Sequence, residues 1–164
     1  MHWRIKVGQH EILKPNWPWA ENLRLTWAVR NGEVVYVSGL VGFDAMGNIA
    51  RDDMYGQTAQ VLRNLKEIME IAGGSQDDVV KITCYLADLS RFKEFARARA
   101  EAFAKRLPAN TAIGAQLALP ELLVEIEAIG IVPIAGPKAG AGRTMRNAGP
   151  AENSYPGKKG RHVK

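Results

Sequence analysis

The residues of this sequence best suited to chemistry are two carboxylates, Glu125 and Glu127, inside the apolar run 122–132. Side chains alternate across a β-strand, so the run predicts a strand whose two carboxylates share one face. Ile129 and Ile131 share that face, and the opposite face is apolar: Val124, Ile126 and Ala128. The half-acidic face either meets water or lines a polar cleft. In a partly dry cleft, desolvation raises the pKa of a carboxyl group, which can then hold water or move a proton near neutral pH.

A second apolar run, 111–119, precedes this strand, and Pro120-Glu121 separates the two runs. Proline cannot donate to a sheet ladder, so the pattern predicts two strands joined by a short connection. We expect these strands to be neighbours, which brings Asn110 and Thr111 beside the two carboxylates.

Other catalytic arrangements are missing from the sequence, which has no Gly-rich phosphate loop, no cysteine or histidine cluster and no supported Ser-His-Asp spacing. The three histidines, His2, His10 and His162, lie outside the predicted domain body, so we expect neither a metal site nor a cofactor. Cys84, the one cysteine, lies in the apolar run 78–86. A buried, inert thiol is expected there rather than a nucleophile.

Length and composition indicate one domain with its own core, since the chain has 164 residues and is 46% hydrophobic. No stretch approaches the ~20 apolar residues that span a bilayer. The first residues contain no apolar signal-peptide core, so we expect a cytoplasmic protein.

Positive charge is concentrated at the end of the chain, whose formal net charge is +5. Residues 133–164 hold seven basic side chains and one acidic one, a net +6, which leaves −1 for residues 1–132. A basic groove on the folded domain is therefore not indicated, and any nucleic-acid binding would depend on the tail. The tail, 134–164, is rich in Gly, Ala, Pro, Lys and Arg, so we expect it to be disordered or to lie on a partner.

The chain begins with an extension, 1–22, that contains the sequence Lys-Pro-Asn-Trp-Pro-Trp at 14–19. Prolines between tryptophans make an extended segment that needs a surface to lie on. The segment either packs on the domain or on a neighbouring subunit, or forms a lid over a binding site.

The middle of the chain predicts an α+β domain. Asn31-Gly32, between the β-rich runs 23–29 and 33–38, indicates a hairpin with a type I′ turn. The pattern then predicts a helix from Asp52 or Asp53 to about Ala72, a strand over 79–86, and a helix from Asp88 or Ser90 to about Leu107. The order is β-β-α-β-α-β-β, a sheet with two helices on one face. The other face stays bare unless another subunit covers it, so we expect an oligomer.

Four segments carry a more specific signal: Val-Tyr-Val-Ser-Gly at 35–39, Asp-Val-Val-Lys-Ile-Thr at 78–83, Pro-Ala at 108–109, and Val-Glu-Ile-Glu-Ala-Ile at 124–129. In this order they resemble the Rid family, also called YjgF-like, over residues 23–133. The resemblance implies a chorismate-mutase-like fold and a homotrimer with clefts between its subunits. It also implies hydrolysis of reactive enamines and imines, such as 2-aminoacrylate, to a keto acid and ammonia. Related members deaminate 2-aminomuconate.

The resemblance also assigns roles to individual residues. Glu125 matches a glutamate that positions water, Gly39 a backbone contact to the substrate, and Trp27 an aromatic, usually Tyr, that closes the cleft. Asn110 stands where the family has an arginine that clamps the substrate carboxylate, and an amide offers no charge for such a clamp. Leu40 replaces a common Gln.

These replacements predict a substrate that is larger or less acidic than 2-aminoacrylate, such as an aminomuconate-like molecule. Arg99, on the second helix, is a candidate to supply the missing cation, and Phe95 on the same helix is a further candidate for substrate binding. The sequence leaves two alternatives open. One is a non-catalytic trimer that binds a small metabolite or a protein partner, and the other is RNA binding or cleavage.

Overall fold

The computed structural model describes residues 3–134, which form one seven-stranded sheet and two α-helices. The strands are β1 (Trp3–Val7), β2 (His10–Lys14), β3 (Ala28–Asn31), β4 (Val34–Val41), β5 (Val79–Leu86), β6 (Ala109–Gly114) and β7 (Val124–Ile131). The helices are α1 (Met54–Ile71) and α2 (Phe92–Ala102). The predicted α+β fold is confirmed, with two strands more than predicted.

The sheet has the order β1-β2-β3-β4-β7-β5-β6, in which only β5 and β6 run parallel. The prediction that β6 and β7 are neighbours is wrong, because β5 lies between them. A parallel partner needs a crossover, and α2 supplies it by returning the chain to the outer side of β5. The last strand, β7, then fills the place between β4 and β5, where its apolar face is buried.

The first helix follows its sequence signals closely. The Asp53 side chain accepts a hydrogen bond from the Gly56 N–H, and the helix ends one residue before the predicted Ala72. The second helix ends earlier than predicted, at Ala102. Beyond it, Lys105 and Arg106 bind Asp77 instead of continuing the helix.

The β3–β4 hairpin is present, but its turn differs from the predicted one. Asn31 stays in the ladder opposite Val34, and the two-residue loop is Gly32-Glu33. Gly32 has a φ of 61°, whereas Asn31 and Glu33 keep negative φ. A positive φ at the first loop position alone is typical of a type II′ turn rather than the predicted I′.

The N-terminal segment packs on the domain, which is one of the arrangements predicted for it, the other being a lid over a binding site. β1 and β2 extend the sheet beyond β3. Trp17 then packs edge-on against Trp27, with ring centroids 4.8 Å apart, and its Nε1 donates to Glu67 Oε2 at 3.0 Å. Trp19 contacts Trp27 and Phe43.

The predicted basic tail lies, except for Ile134, outside the described residues. Between residues 3 and 134, no helix is both long and apolar enough to cross a membrane.

Candidate active site

The helices cover one face of the sheet and leave the other uncovered. In β7 the predicted alternation is present: Val124, Ile126 and Ala128 are buried, whereas Glu125 is partly exposed and Glu127 exposed. Tyr36 of β4 lies half exposed, at 52%. The uncovered face is therefore mixed, with carboxylates beside apolar side chains.

Glu125 lies against the backbone of Gly39. The pairing of β4 with β7 shifts register between Val37 and Leu40, so Ser38 and Gly39 have no Cα partner in β7. A Cβ built on Gly39 would lie 2.8 Å from Cδ of Glu125 and would overlap the carboxylate oxygen Oε1. The φ of Gly39 is ordinary, so it is the carboxylate, and not the backbone conformation, that requires glycine here.

Burial and a neighbouring charge both act on this carboxylate. Burial is the larger cause that raises the pKa of Glu125 above its usual value, and the charge of Glu127 is the second. Within residues 3–134, neither carboxylate has an ion-pair partner. Tyr85 lies directly opposite Glu125 in the β5–β7 ladder. The charge of Glu127, burial and a hydrogen bond to Glu127 raise the Tyr85 pKa.

An open depression of about 250 Å³ is lined by Glu127, but not by Glu125. Its polar lining comes from Lys81, Thr83 and Glu127, and Tyr36 and Ile129 add apolar walls. Lys81 donates to Thr111 Oγ1 at 2.8 Å. Sequence reasoning did not single out Lys81, Thr83 or Tyr85, although the alternation of polar and apolar residues along 81–86 carries the signal that they share one face.

Asn110 lies on the other face of the sheet from Glu125. In the parallel β5–β6 ladder it pairs with Ile82, so its side chain shares the helix-covered face with Cys84. The Cys84 thiol is 3.3 Å from Asn110 Oδ1 and donates to it. The predicted proximity of Asn110 to the two carboxylates within one chain is therefore wrong, because β5 intervenes and the side chains point to opposite faces.

Cys84 is buried, as predicted. Burial raises the pKa of the thiol to about 12, and the nearby charges of Arg99 and Lys81 offset only part of that effect. The thiol therefore keeps its proton and is not a nucleophile.

Arg99 and Phe95 belong to α2, on the same side of the sheet as Asn110. The Arg99 guanidinium carbon lies 5.4 Å from the centre of the Phe95 ring. Phe95 itself is fully buried, and Trp27 is 7% exposed beneath Trp17 and Trp19. Phe95 packs in the interior against Phe92 and beneath Arg99, whereas Trp27 borders a small depression that is otherwise lined by residues 14–18, 20 and 21.

The candidate residues thus form two groups in one chain. The carboxylate group, Glu125 with Gly39, lies on the uncovered face, and the amide–guanidinium group, Asn110 of β6 with Arg99 of α2, lies on the helix-covered side of the sheet. Residues 3–134 contain no cluster of three side chains able to hold a metal ion.

Comparison with known proteins gives a consistent result. Residues 20–132 match the family model described as Endoribonuclease L-PSP. Over 103 residues the chain is 38% identical to a RutC family protein of Pyrococcus horikoshii. The aligned residues make up 62% of this chain and 82% of that protein. A RutC family protein of Sulfurisphaera tokodaii is 36% identical over the same length, with the same coverage.

Solved structures similar to this chain in sequence and fold include two from this group of proteins. RidA from the Antarctic bacterium Psychrobacter sp. is 33% identical, with a TM-score of 0.68, covering 74% of this chain and 98% of that one. The YjgF gene product of E. coli is 28% identical, with a TM-score of 0.66, covering 71% of this chain and 93% of that one. The stretch that the family model matches contains both groups of candidate residues.

Proposed function

We propose, since this chain belongs to the Rid (YjgF-like) family, that it hydrolyses a reactive enamine or imine to a carbonyl compound and ammonia. The reaction takes place in a cleft between subunits, with Glu125 as the residue that holds the attacking water. The observation that carries this proposal is the partly buried carboxylate of Glu125, seated against Gly39 on the uncovered face, with its pKa raised by burial.

The chemistry needs only a base and a bound water. Glu125 takes a proton from the water while the water oxygen bonds to the imine carbon, and the C=N electron pair moves to nitrogen, which receives that proton back from Glu125. The hydroxyl proton of the resulting carbinolamine then passes to its amine nitrogen, the C–N bond breaks as the C=O bond forms, and ammonia leaves. Imine and water become carbonyl and ammonia, with no oxidant or cofactor consumed. A raised pKa makes the carboxylate a better base at neutral pH than an ordinary glutamate.

Gly39 and Asn110 have supporting roles in this proposal. The register shift leaves the backbone around Gly39 free of β7, so it can hydrogen-bond a substrate beside Glu125. Asn110, contributed by a neighbouring subunit, hydrogen-bonds a polar group of the substrate through its amide.

A homotrimer is the expected assembly. Besides Tyr36, the large apolar side chain of Ile131 on the same face remains exposed in the single chain, and an exposed apolar patch of sheet size is rare in monomers. Light scattering at micromolar concentration should give the mass of three chains. Tyr36→Lys should dissociate the assembly, whereas Val7→Lys, an equally exposed position in β1, should leave it intact. A monomeric wild type contradicts both the trimer and the intersubunit cleft.

The direct test is release of ammonia and keto acid from a panel of enamines and imines, including 2-aminoacrylate and 2-aminomuconate. Turnover that is faster than the spontaneous reaction and depends on Glu125 supports the proposal. Binding of a metabolite without turnover indicates a non-catalytic trimer instead. Salt-dependent RNA binding that disappears when 134–164 are removed would assign a separate role to the tail.

The pH profile should report the raised pKa of Glu125. Only the deprotonated carboxylate accepts a proton from water, so activity is lost as pH falls through that pKa. Tyr85 and Glu127 are the titratable groups facing Glu125 from β5 and β7, and Glu127 raises its pKa. Glu127→Gln should therefore shift the acidic limb of kcat/KM to lower pH. Glu33→Gln, in the remote β3–β4 turn, should leave the limb in place. An unchanged limb in Glu127→Gln contradicts the assignment.

A further inference from the structure

Two buried side-chain amides of α1, Gln57 and Asn64, form hydrogen bonds outside their own helix. They are separated by about two helical turns, so they share one face of α1. Gln57 is 0% exposed and Asn64 is 5% exposed. A buried amide is costly unless its polar atoms are hydrogen-bonded, and the donors of both amides bind backbone carbonyls of other segments.

Gln57 holds the segment that leads into β7. Its Nε2 donates to the Glu121 carbonyl at 2.8 Å, and its Oε1 accepts from the Leu123 N–H at 2.8 Å. Nε2 also donates to the Ala50 carbonyl at 3.0 Å. The side chain therefore binds the backbone on both sides of Leu122, as a neighbouring strand would, just before β7 begins.

Asn64 holds the end of β4. Its Nδ2 donates to the carbonyls of Val41 and Phe43, at 3.1 Å and 2.9 Å. Val41 is the residue of β4 that pairs with Glu125 in β7. The amide of Asn64 therefore fixes the backbone directly opposite the carboxylate to which the proposed function assigns the attacking water.

The strand pairing alone specifies this place only in part. The ladder between β4 and β7 shifts register next to Glu125, whereas β5 pairs with the other edge of β7 without interruption there. What remains to be set is the offset between the end of β4 and the start of β7. The helix reaches both: Asn64 and Gln57 bind them, and a Cβ built on Gly42 would lie 3.0 Å from the Gln57 Cα.

We propose that Gln57 and Asn64 are positioning residues of the hydrolytic site, which hold the two strand ends at the offset that places the Glu125 carboxylate against Gly39. This inference rests on the proposed function and extends it to the helix behind the sheet. Both amides act through the backbone and not on the substrate. A displacement of about 1 Å in a catalytic group can lower the rate about 100-fold, so the offset matters for turnover.

The experiment compares two positioning variants with a matched control. Gln57→Met keeps the length of the side chain and removes its hydrogen bonds, and Asn64→Ala removes those to the end of β4. The control, Thr58→Val, removes a buried hydrogen bond of the same helix, from Thr58 Oγ1 to the Met54 carbonyl, that involves neither strand. Each positioning variant should lower kcat at least about tenfold and change KM less than about threefold. The control should keep the wild-type kcat, even where its thermal unfolding temperature falls as much.

A second measurement follows the Glu125 carboxyl group itself. NMR titration of protein labelled with ¹³C at the glutamate carboxyls gives its pKa, and the signal is assigned by its absence in Glu125→Gln. Burial raises this pKa, so a displaced and better hydrated carboxylate should have a lower pKa in both positioning variants. Glu127 of β7 and Tyr85 of β5, the titratable groups that face it, are unchanged in these variants, and β4 has none between residues 38 and 41. The control should match the wild type.

Wild-type kcat and an unchanged carboxyl pKa in the folded positioning variants would overturn the inference. Equal losses in Thr58→Val would overturn it too, because they would indicate a general effect of stability. If Gln57→Met does not fold, Asn64→Ala decides alone. The two proposals fail separately. A lowered Glu125 pKa in the positioning variants, without hydrolysis of any substrate by the wild type, keeps the positioning role and removes the hydrolase. Hydrolysis that depends on Glu125 but keeps its kcat in both variants does the reverse.

Discussion

Glu125→Ala should lower hydrolysis of the best substrate by about 100- to 10,000-fold, the range that a positioned general base contributes. The loss should fall mainly on kcat, because the carboxylate acts on the attacking water and the substrate keeps its other contacts. Ammonia release measured at substrate concentrations above and below KM separates the two constants. Glu125→Gln should lose nearly as much, since an amide keeps the shape of the side chain but accepts no proton.

The matched control is Glu127→Ala, which removes the neighbouring carboxylate on the same face of β7. Glu127 is exposed and has no equivalent of the Gly39 contact, so we expect it to retain activity within about tenfold. Light scattering and thermal unfolding should show both variants assembled and folded. Full activity in an assembled Glu125→Ala variant removes the catalytic role of this residue, and equal losses in both variants would point to a general effect of charge on the face.

The local pattern of β7 was enough to predict its two faces, because alternation is a property of the strand itself. The neighbour of that strand was not predictable in the same way. Pairing of β7 with β4 and β5 depends on contacts far apart in sequence, and consecutive strands pair only as a tendency. The pattern of 111–119 therefore suggested the wrong partner for β7, and with it the wrong surroundings for Asn110.

The N-terminal strands were missed for a different reason. Trp3, Ile5 and Val7 alternate in the sequence, and Gly8 has a φ of 61° in the turn to His10. The hairpin signal was therefore present. The prolines that follow favoured an extended segment instead, and an isolated hairpin is only marginally stable without a sheet to join. Pairing of β2 with β3 provides that sheet.

The contacts of Asn110 and Arg99 could not be predicted by comparing residues with those of the family one by one. A missing arginine at position 110 is visible in the sequence, but the contact of Cys84 with Asn110 is not. The unmet Nε of Arg99 is likewise a three-dimensional fact, since Arg97 and Arg99 look equivalent on a helix with Glu94 and Glu101 nearby. Only the fold separates the paired arginine from the unpaired one.

Gly39→Ala should reduce hydrolysis about 100-fold, because the new methyl group would occupy the position of the Glu125 carboxylate. A shift of about 1 Å in a catalytic group can have an effect of this size. The variant should also lose roughly 1–3 kcal/mol in the free energy of unfolding, the usual cost of overpacking. Backbone strain adds nothing, since the φ of Gly39 is one that alanine adopts.

A double-mutant cycle separates this clash from any other effect of the methyl group. With Glu125→Ala already in place, the carboxylate is gone, and adding Gly39→Ala should change the free energy of unfolding by less than about 0.5 kcal/mol, the usual effect of a substitution that meets no neighbouring group. Chemical denaturation of the four variants gives the coupling energy directly. A destabilisation of the same size in both backgrounds would mean that the methyl group meets something other than Glu125. The contact of the Glu125 carboxylate with Gly39 would then be wrong, and the proposed water site depends on that contact.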